Sequence, residues 1–237
     1  MKFFYNKEFN RLEIYFDNKT NVNGLYWDNV WNENKKIPKN IYKKNTYVSK
    51  ITKKYIQNNS KILEAGCGLG QFVYSLKKNK YDSYGIDIAK HTVNLVNKKF
   101  PDLNIVNGDV EKLPFNDNFF DGIWSLGLIE HFYNSHIKVL SESRRVLKPK
   151  GYFFLIFPSI SILNKIKIYF NMYDPIDKNI IVDKKAFYQF KLNEHFVIKE
   201  LEDLQFKLIK KIRLDGIKGI KDEISFLQPL FRYIYNS

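Results

Sequence analysis

The strongest chemical signal in the sequence is the run Ile62-Leu63-Glu64-Ala65-Gly66-Cys67-Gly68-Leu69-Gly70. Glycine at every second position permits positive φ and lets a ligand approach backbone N–H groups with no Cβ in the way. A helix opening at that point would add unpaired N–H donors. A tight strand-to-helix turn explains the same glycines without any ligand. The spacing departs from the Gly-x-Gly-x-x-Gly dinucleotide fingerprint, because the third place after Gly66 and Gly68 falls on Gln71. Cys67 is the single cysteine, so no internal disulfide can form and nothing argues for an oxidising compartment. His131, after an apolar run, is the candidate general base; the same ring would serve equally to pack or to hold a loop. His91, His136 and His195 fall on or beside helical stretches without ligand-like clustering, so no metal site is expected.

These residues need a frame that brings distant loops together, and the alternation of the chain supplies one. Short β-rich runs occur at Lys61–Ala65, Ser83–Asp87, Leu103–Asn107, Phe119–Ser125 and Tyr152–Phe157. Helix-like stretches separate them at about Gly70–Lys78, Ile88–Phe100 and Asn134–Leu147. Strands alternating with helices imply βαβ crossovers and a mostly parallel, doubly wound α/β sheet. The first forty or so residues are polar and aromatic without a clean period, apart from a helical turn at Leu25–Trp31 and helical spacing within Asn40–Asn58. They are expected to form an N-terminal helical segment. After Pro158 the pattern loosens into an insertion over Ser159–Lys185. A short strand at Phe187–Leu192, a helix capped by Asn193 and a strand at Phe206–Leu214 are expected to follow.

The glycine run, preceded by Glu64, resembles motif I of the class I S-adenosylmethionine-dependent methyltransferases. Four further stretches resemble that family in the correct order: Tyr84-Gly85-Ile86-Asp87-Ile88, Asn107–Phe115, Asp117–Ser125 with Glu130-His131-Phe132 after it, and Leu140–Phe154. The resemblance covers about residues 45–158. It implies a Rossmann-like fold, methyl transfer as the activity and S-adenosyl-L-methionine as cofactor. It also implies a cofactor site at Glu64, Ala65, Gly66, Cys67, Gly68, Gly70, Asp87, Ile88, Asp109, Val110, Ser125 and Leu126. Asp87 would take the ribose hydroxyls and Asp109 the adenine amino group; the alternative, less favoured for each acid, is a local cap. Tyr26, Trp27, Trp31 and Tyr173 are the acceptor-side candidates, and His131 the catalytic one. The expected organisation is a single domain over 1–237, with a cap segment (1–44), a cofactor-binding core (45–158) and an insertion with C-terminal acceptor-side region (159–237).

Several acceptors are disfavoured. Methylation at C5 of a pyrimidine uses a cysteine nucleophile, and Cys67 lies inside the glycine loop. Enzymes acting on exocyclic amines of bases carry an Asn/Asp-Pro-Pro-aromatic motif where this chain reads Ser125-Leu126-Gly127-Leu128. No glutamate pair of the kind that clamps arginine is present. A small-molecule acceptor is therefore expected, such as a sugar, glycan or lipid precursor with a hydroxyl or amine. The string Trp27-Asp28-Asn29-Val30-Trp31 looks like the openings of methyltransferases from surface-polysaccharide clusters. The alternative is an RNA-directed or non-catalytic S-adenosylmethionine-binding protein that uses a lysine-rich surface.

Charge bears on that alternative. The 237 residues carry a formal net charge of +14, yet only five of the 39 basic residues are arginine. Bidentate phosphate and base recognition favours arginine. The abundance of Lys, Asn, Ile, Phe and Tyr together reflects A/T-rich codons, so solvated surface lysines are the simpler reading and nucleic acid the less favoured partner. The longest apolar run, Tyr152–Phe157, is far short of the ~18–20 residues that cross a bilayer. Polar residues interrupt the N-terminus too early for a signal peptide, so a cytoplasmic location is expected. Leu230–Tyr235 is too short to return as a seventh strand, which leaves six expected strands in the main sheet.

Overall fold

A computed structural model describes residues 1–18, 20–31, 37–38, 40–176 and 184–212. The chain opens with strands β1 (Lys2–Asn6) and β2 (Arg11–Tyr15), then helices α1 (Gly24–Trp31) and α2 (Tyr47–Tyr55). The alternating part comprises β3 (Lys61–Ala65), α3 (Gln71–Lys78), β4 (Asp82–Asp87), α4 (Lys90–Lys99), β5 (Asn104–Asn107), β6 (Phe120–Leu126), α5 (Ile137–Val146) and β7 (Leu147–Ile156). Last come α6 (Ile162–Tyr169), β8 (Asp174–Pro175), β9 (Phe187–Lys191) and α7 (Glu194–Asp203). The main sheet has the order β5-β4-β3-β6-β7 with every pair parallel. The chain reverses direction across the sheet between β3 and β6, and their carboxyl ends frame the crevice where such sheets bind ligands.

Burial on both faces explains why β3 and β6 carry adjacent apolar pairs, Ile62-Leu63 and Ile123-Trp124. Ile62 and Trp124 enter one cluster with Val48, Leu76 and Tyr81, whereas their neighbours Leu63 and Ile123 enter another with Val139, Leu140 and Phe187. Strands covered on both faces need no polar alternation. Local chemistry sets the helix starts. Thr46 Oγ1 accepts from Ser49 N at the head of α2, and Asn193 Oδ1 accepts from His195 N at the head of α7, the cap expected from the sequence.

The sequence did not foretell a second sheet, ordered β8-β1-β2-β9. The N-terminal hairpin precedes the helical segment, and β9 joins it instead of the main sheet. Leu12, Glu13, Ile14 and Tyr15 are all buried, so the alternation Arg11-Leu12-Glu13-Ile14 does not mark one wet and one dry face, and it is too short to stand out as a strand. Glu13 is tolerated inside because Tyr15 Oη (2.7 Å), Asn6 Nδ2 (2.9 Å) and Arg11 Nε (3.1 Å) all donate to it. Tyr15, Phe187 and Phe190 share one core with Leu63 and Ile123, so the second sheet packs directly on the first.

Two expectations about the C-terminal part are corrected. Among the described residues the main sheet has five strands, not six. Residues 206–212 of the strand expected at Phe206–Leu214 form no ladder; Leu208, Ile209 and Ile212 are exposed, and Phe206 turns in against Phe153 at 5.3 Å. Leu230–Tyr235 lies outside the described residues.

Candidate functional site

β3 ends at Ala65, and the glycine loop turns on residues that L side chains rarely match. Gly66 and Gly68 have φ of 71° and 49°. Gly66 N and Cys67 N donate to Ile86 O at 2.9 and 3.0 Å, which ties the loop to the end of β4. Asp87 completes the tie. Its Oδ2 accepts from Gly68 N at 2.7 Å and its Oδ1 from Ala89 N at 2.9 Å, so one carboxylate fastens the glycine loop to the head of α4. Burial pushes its pKa up against the lowering pull of those N–H donors. Each oxygen keeps a second lone pair for a ligand hydroxyl, so the capping role and a binding role coexist.

Glu64 and Cys67 face away from the crevice. Gly70 precedes α3 and has no side chain to cap it; Glu64 Oε2 supplies the oxygen instead, accepting from Val73 N at 3.1 Å. Burial, with Asp87 nearby, pushes the Glu64 carboxyl well above its usual range. The Cys67 thiol fills the space over Gly85, 2.8 Å from where a Cβ would stand, and burial pushes it up as well. Such a thiol packs and does not react. At the end of β5, Asp109 Oδ1 accepts from Glu111 N at 2.8 Å, and Asn107 Nδ2 and Gly108 N both donate to Asp87 O. Asp109 is exposed beside the crevice, Ile88 is exposed above it, and Val110 is buried in the core. At the end of β6, Leu126 is half-buried. The neighbouring Ser125 Oγ is fully buried without a hydrogen-bond partner.

Helix α1 covers this loop. Asn23 Oδ1 accepts from Tyr26 N to start it, and Asp28 fastens it by accepting from His91 N (3.2 Å), Thr92 N (2.7 Å) and Thr92 Oγ1 (2.8 Å) at the head of α4. That places the Trp31 indole against Gly68, with Trp27 stacked on Trp31 at 6.2 Å. The edge of Trp27 meets His131 at 4.8 Å, and Tyr26 packs on Trp27 and Phe16. His131 Nδ1 lies 2.8 Å from Tyr188 O on β9. A carbonyl only accepts, so Nδ1 carries the hydrogen and Nε2 keeps its lone pair. Burial holds the ring below its usual pKa and therefore neutral. Next to it Glu130 is buried with Oε2 unpartnered, and burial pushes its pKa up to about 8.

The fold thus brings Gly66, Gly68, Asp87, Trp27, Trp31 and His131 to one end of the main sheet. Tyr173 is engaged elsewhere: its hydroxyl accepts from Asn164 Nδ2 at 2.8 Å and steadies α6. Sequence reasoning missed Tyr188, Leu128 and Asp28. Leu128 lies 2.9 Å from where a Cβ on Gly66 would stand, bridging the crevice between β3 and β6. Only Asp28 had a local signal, as an acid inside the Trp27–Trp31 string. Among the described residues no cluster of His, Cys, Asp and Glu could hold a metal ion, and no helix is long and apolar enough to cross a membrane.

Residues 63–155 match the family described as "Methyltransferase domain". The chain is similar to a demethylmenaquinone methyltransferase of Staphylococcus saprophyticus, with 26% identity over 69% of this chain and 73% of that protein. It is similar over a shorter stretch to a phthiotriol/phenolphthiotriol dimycocerosates methyltransferase of Mycobacterium tuberculosis, with 36% identity over 39% of this chain and 36% of that protein. Its fold is similar to that of a SAM-dependent methyltransferase from Methanosarcina mazei, at a TM-score of 0.54 and 22% identity, over 70% of this chain and 90% of that one.

Proposed function

We propose that this chain, a class I S-adenosylmethionine-dependent methyltransferase, methylates a hydroxyl of a lipid-type small molecule, with His131 as general base. The observation that carries this reading is the 2.8 Å contact between His131 Nδ1 and Tyr188 O. It orients a neutral imidazole with its Nε2 lone pair available beside the covered glycine loop. The donor fits the residues present. Leu128 and the Trp31 indole rest on the backbone of Gly66 and Gly68 where a donor would displace them, Asp87 keeps lone pairs for vicinal hydroxyls, and the buried Ser125 Oγ lacks a partner. In the proposed site Gly66, Gly68, Gly70 and the flanking backbone of Ala65 and Cys67 line one wall, with Asp87, Ile88, Asp109 and Val110 on the β4 and β5 side. Ser125 and Leu126 line the β6 side, and Glu64 acts from beneath.

Bound S-adenosylmethionine supplies an electrophilic methyl group on a sulfonium sulfur. The protein aligns the acceptor, excludes water and removes a proton. His131 Nε2 would take the proton of the acceptor hydroxyl as that oxygen becomes the nucleophile. Trp27 and Tyr188 lie against the base, backed by Tyr26 and Phe16, an apolar setting that suits an acceptor with an apolar body. The demethylmenaquinone and phthiotriol dimycocerosate acceptors in the names of similar proteins support the same class. The test is transfer of labelled methyl from S-adenosylmethionine to separate lipid, glycan and RNA fractions. Label in the lipid fraction is expected; label in RNA would favour the lysine-rich surface as the working face instead.

A further inference from the structure

Helix α6 turns apolar side chains outward. Ile162, Ile166 and Tyr169 are 68%, 48% and 80% exposed and, with exposed Lys165, occupy positions i, i+3, i+4 and i+7 of one face. Phe170 and Met172 extend the same apolar surface past the helix end at 66% and 64%. A helix of a globular protein normally presents charge there and buries its apolar stripe. The helix is firmly built. Ser161 Oγ accepts from Asn164 N and Asn164 Oδ1 accepts from Ser161 N, both at 3.0 Å, while fully buried Asn164 also donates to Tyr173.

Its place in the fold matters. Leu192 N donates to Pro158 O at 2.9 Å and Ile160 N to Leu192 O at 3.1 Å, which pins the start of α6 to the end of β9. Both lie at the carboxyl end of the main sheet, and β9 also carries the Tyr188 carbonyl that orients His131. The exposed stripe is therefore on the acceptor side of the molecule.

We infer that the outward face of α6 docks this protein onto an anionic lipid surface, from which an apolar acceptor reaches His131. This rests on the lipid-type acceptor proposed above. Charge and size choose the occupant. The chain carries +14, so a second copy would be repelled whereas anionic headgroups attract it. An apolar stripe of five side chains is also small against the roughly 20–30 residues a side in a stable protein interface. Isoleucines, a tyrosine and a phenylalanine beside lysines match what sits at a bilayer boundary, with aromatic rings at headgroup level and lysine stems reaching past them to water.

The full chain is sedimented with vesicles of phosphatidylcholine alone and of equal parts phosphatidylcholine and phosphatidylglycerol. Wild type is compared with Ile166→Glu/Tyr169→Glu, and calorimetry of S-adenosylmethionine binding verifies that the variant is folded. Wild type should pellet with the anionic vesicles and lose that on added salt, and the variant should bind at least about tenfold more weakly. A single change, Ile162→Ser, should weaken pelleting in the same direction if the double variant fails to fold. Three results would overturn the docking face: no pelleting of wild type, equal pelleting of wild type and variant (which would move binding to another segment), or a wild-type dimer in light scattering that the variant abolishes. Failure of the acceptor reading looks different: vesicles bind, yet labelled methyl never enters a detergent-dispersed lipid extract.

Discussion

The Trp31 indole lies directly on the backbone of Gly68. A methyl group added to that glycine would stand 2.8 Å from ring atoms Cε2 and Cζ2. A donor that reaches the glycine loop must therefore change the surroundings of this ring. Adding S-adenosylmethionine should change tryptophan emission, and Trp31→Phe should remove most of that change while Trp27 and Trp124 remain. Unchanged wild-type emission at saturating donor would separate the two sites. Gly68→Ala combines the steric conflict with a left-handed φ costing roughly 1–2 kcal/mol, and donor affinity should fall at least tenfold.

Asp87 holds two loops with one carboxylate. Asp87→Ala should weaken donor binding by about 1–3 kcal/mol, or roughly 5- to 150-fold in Kd by calorimetry. It should also lower the melting temperature, because Gly68 N and Ala89 N lose their acceptor. An unaltered Kd would take Asp87 out of the donor site.

Burial favours neutral His131, so the base form persists to pH values below the usual 6.5. The acid limb of kcat should accordingly lie below pH 6.5, and His131→Gln should abolish that limb while lowering kcat by ~10²–10⁴. Donor affinity should stay within about twofold, since the ring is assigned to the acceptor. A loss of kcat of tenfold or less would mean that alignment alone carries the reaction.

Glu130 gives a prediction about stability. Its folded pKa, pushed to about 8 from an ordinary 4.5, means that the native state holds a proton the unfolded chain has released between those pH values. Stability from this group is full below pH 4.5 and is lost as pH rises through 8. Glu130→Gln keeps a neutral side chain at every pH. Its melting temperature relative to wild type should therefore be higher at pH 8.5 than at pH 5. A difference that does not change between the two values would place Glu130 in a more polar setting.

Sequence disclosed what is local and repeated. The run Ile62-Leu63-Glu64-Ala65 read as a buried strand because both faces of β3 are covered, and Asp87 was found because an acid ends β4 some twenty residues past the glycines. Long-range geometry was not legible in the same way. β2 alternates only over Arg11-Leu12-Glu13-Ile14 and buries both of its faces from Leu12 on, so nothing in so short a run marked its pairing with β9. The hold on His131 comes from a backbone carbonyl at Tyr188, an atom every residue has and no sequence pattern marks. Glu64 kept its place at the mouth of β3 but turned out to cap α3, because the glycine before that helix offers no oxygen of its own.

The second sheet joins the two ends of the described chain: Leu12 pairs with Lys191 and Glu13 with Phe190. During synthesis at about 5–20 residues per second, β1 and β2 leave the ribosome well before β9 and wait for it. Everything from β3 to β7 can assemble in that interval, since its most distant pairing, Ile62 with Gly122, spans about a third of the sequence distance from Leu12 to Lys191, and the longer closure is slower. The nascent protein should thus own a finished parallel sheet before the strand bearing Tyr188 arrives to orient His131. The Tyr188 carbonyl then reaches His131 only late in biogenesis, and until that point the edge of β2 that β9 will cover stays unpaired.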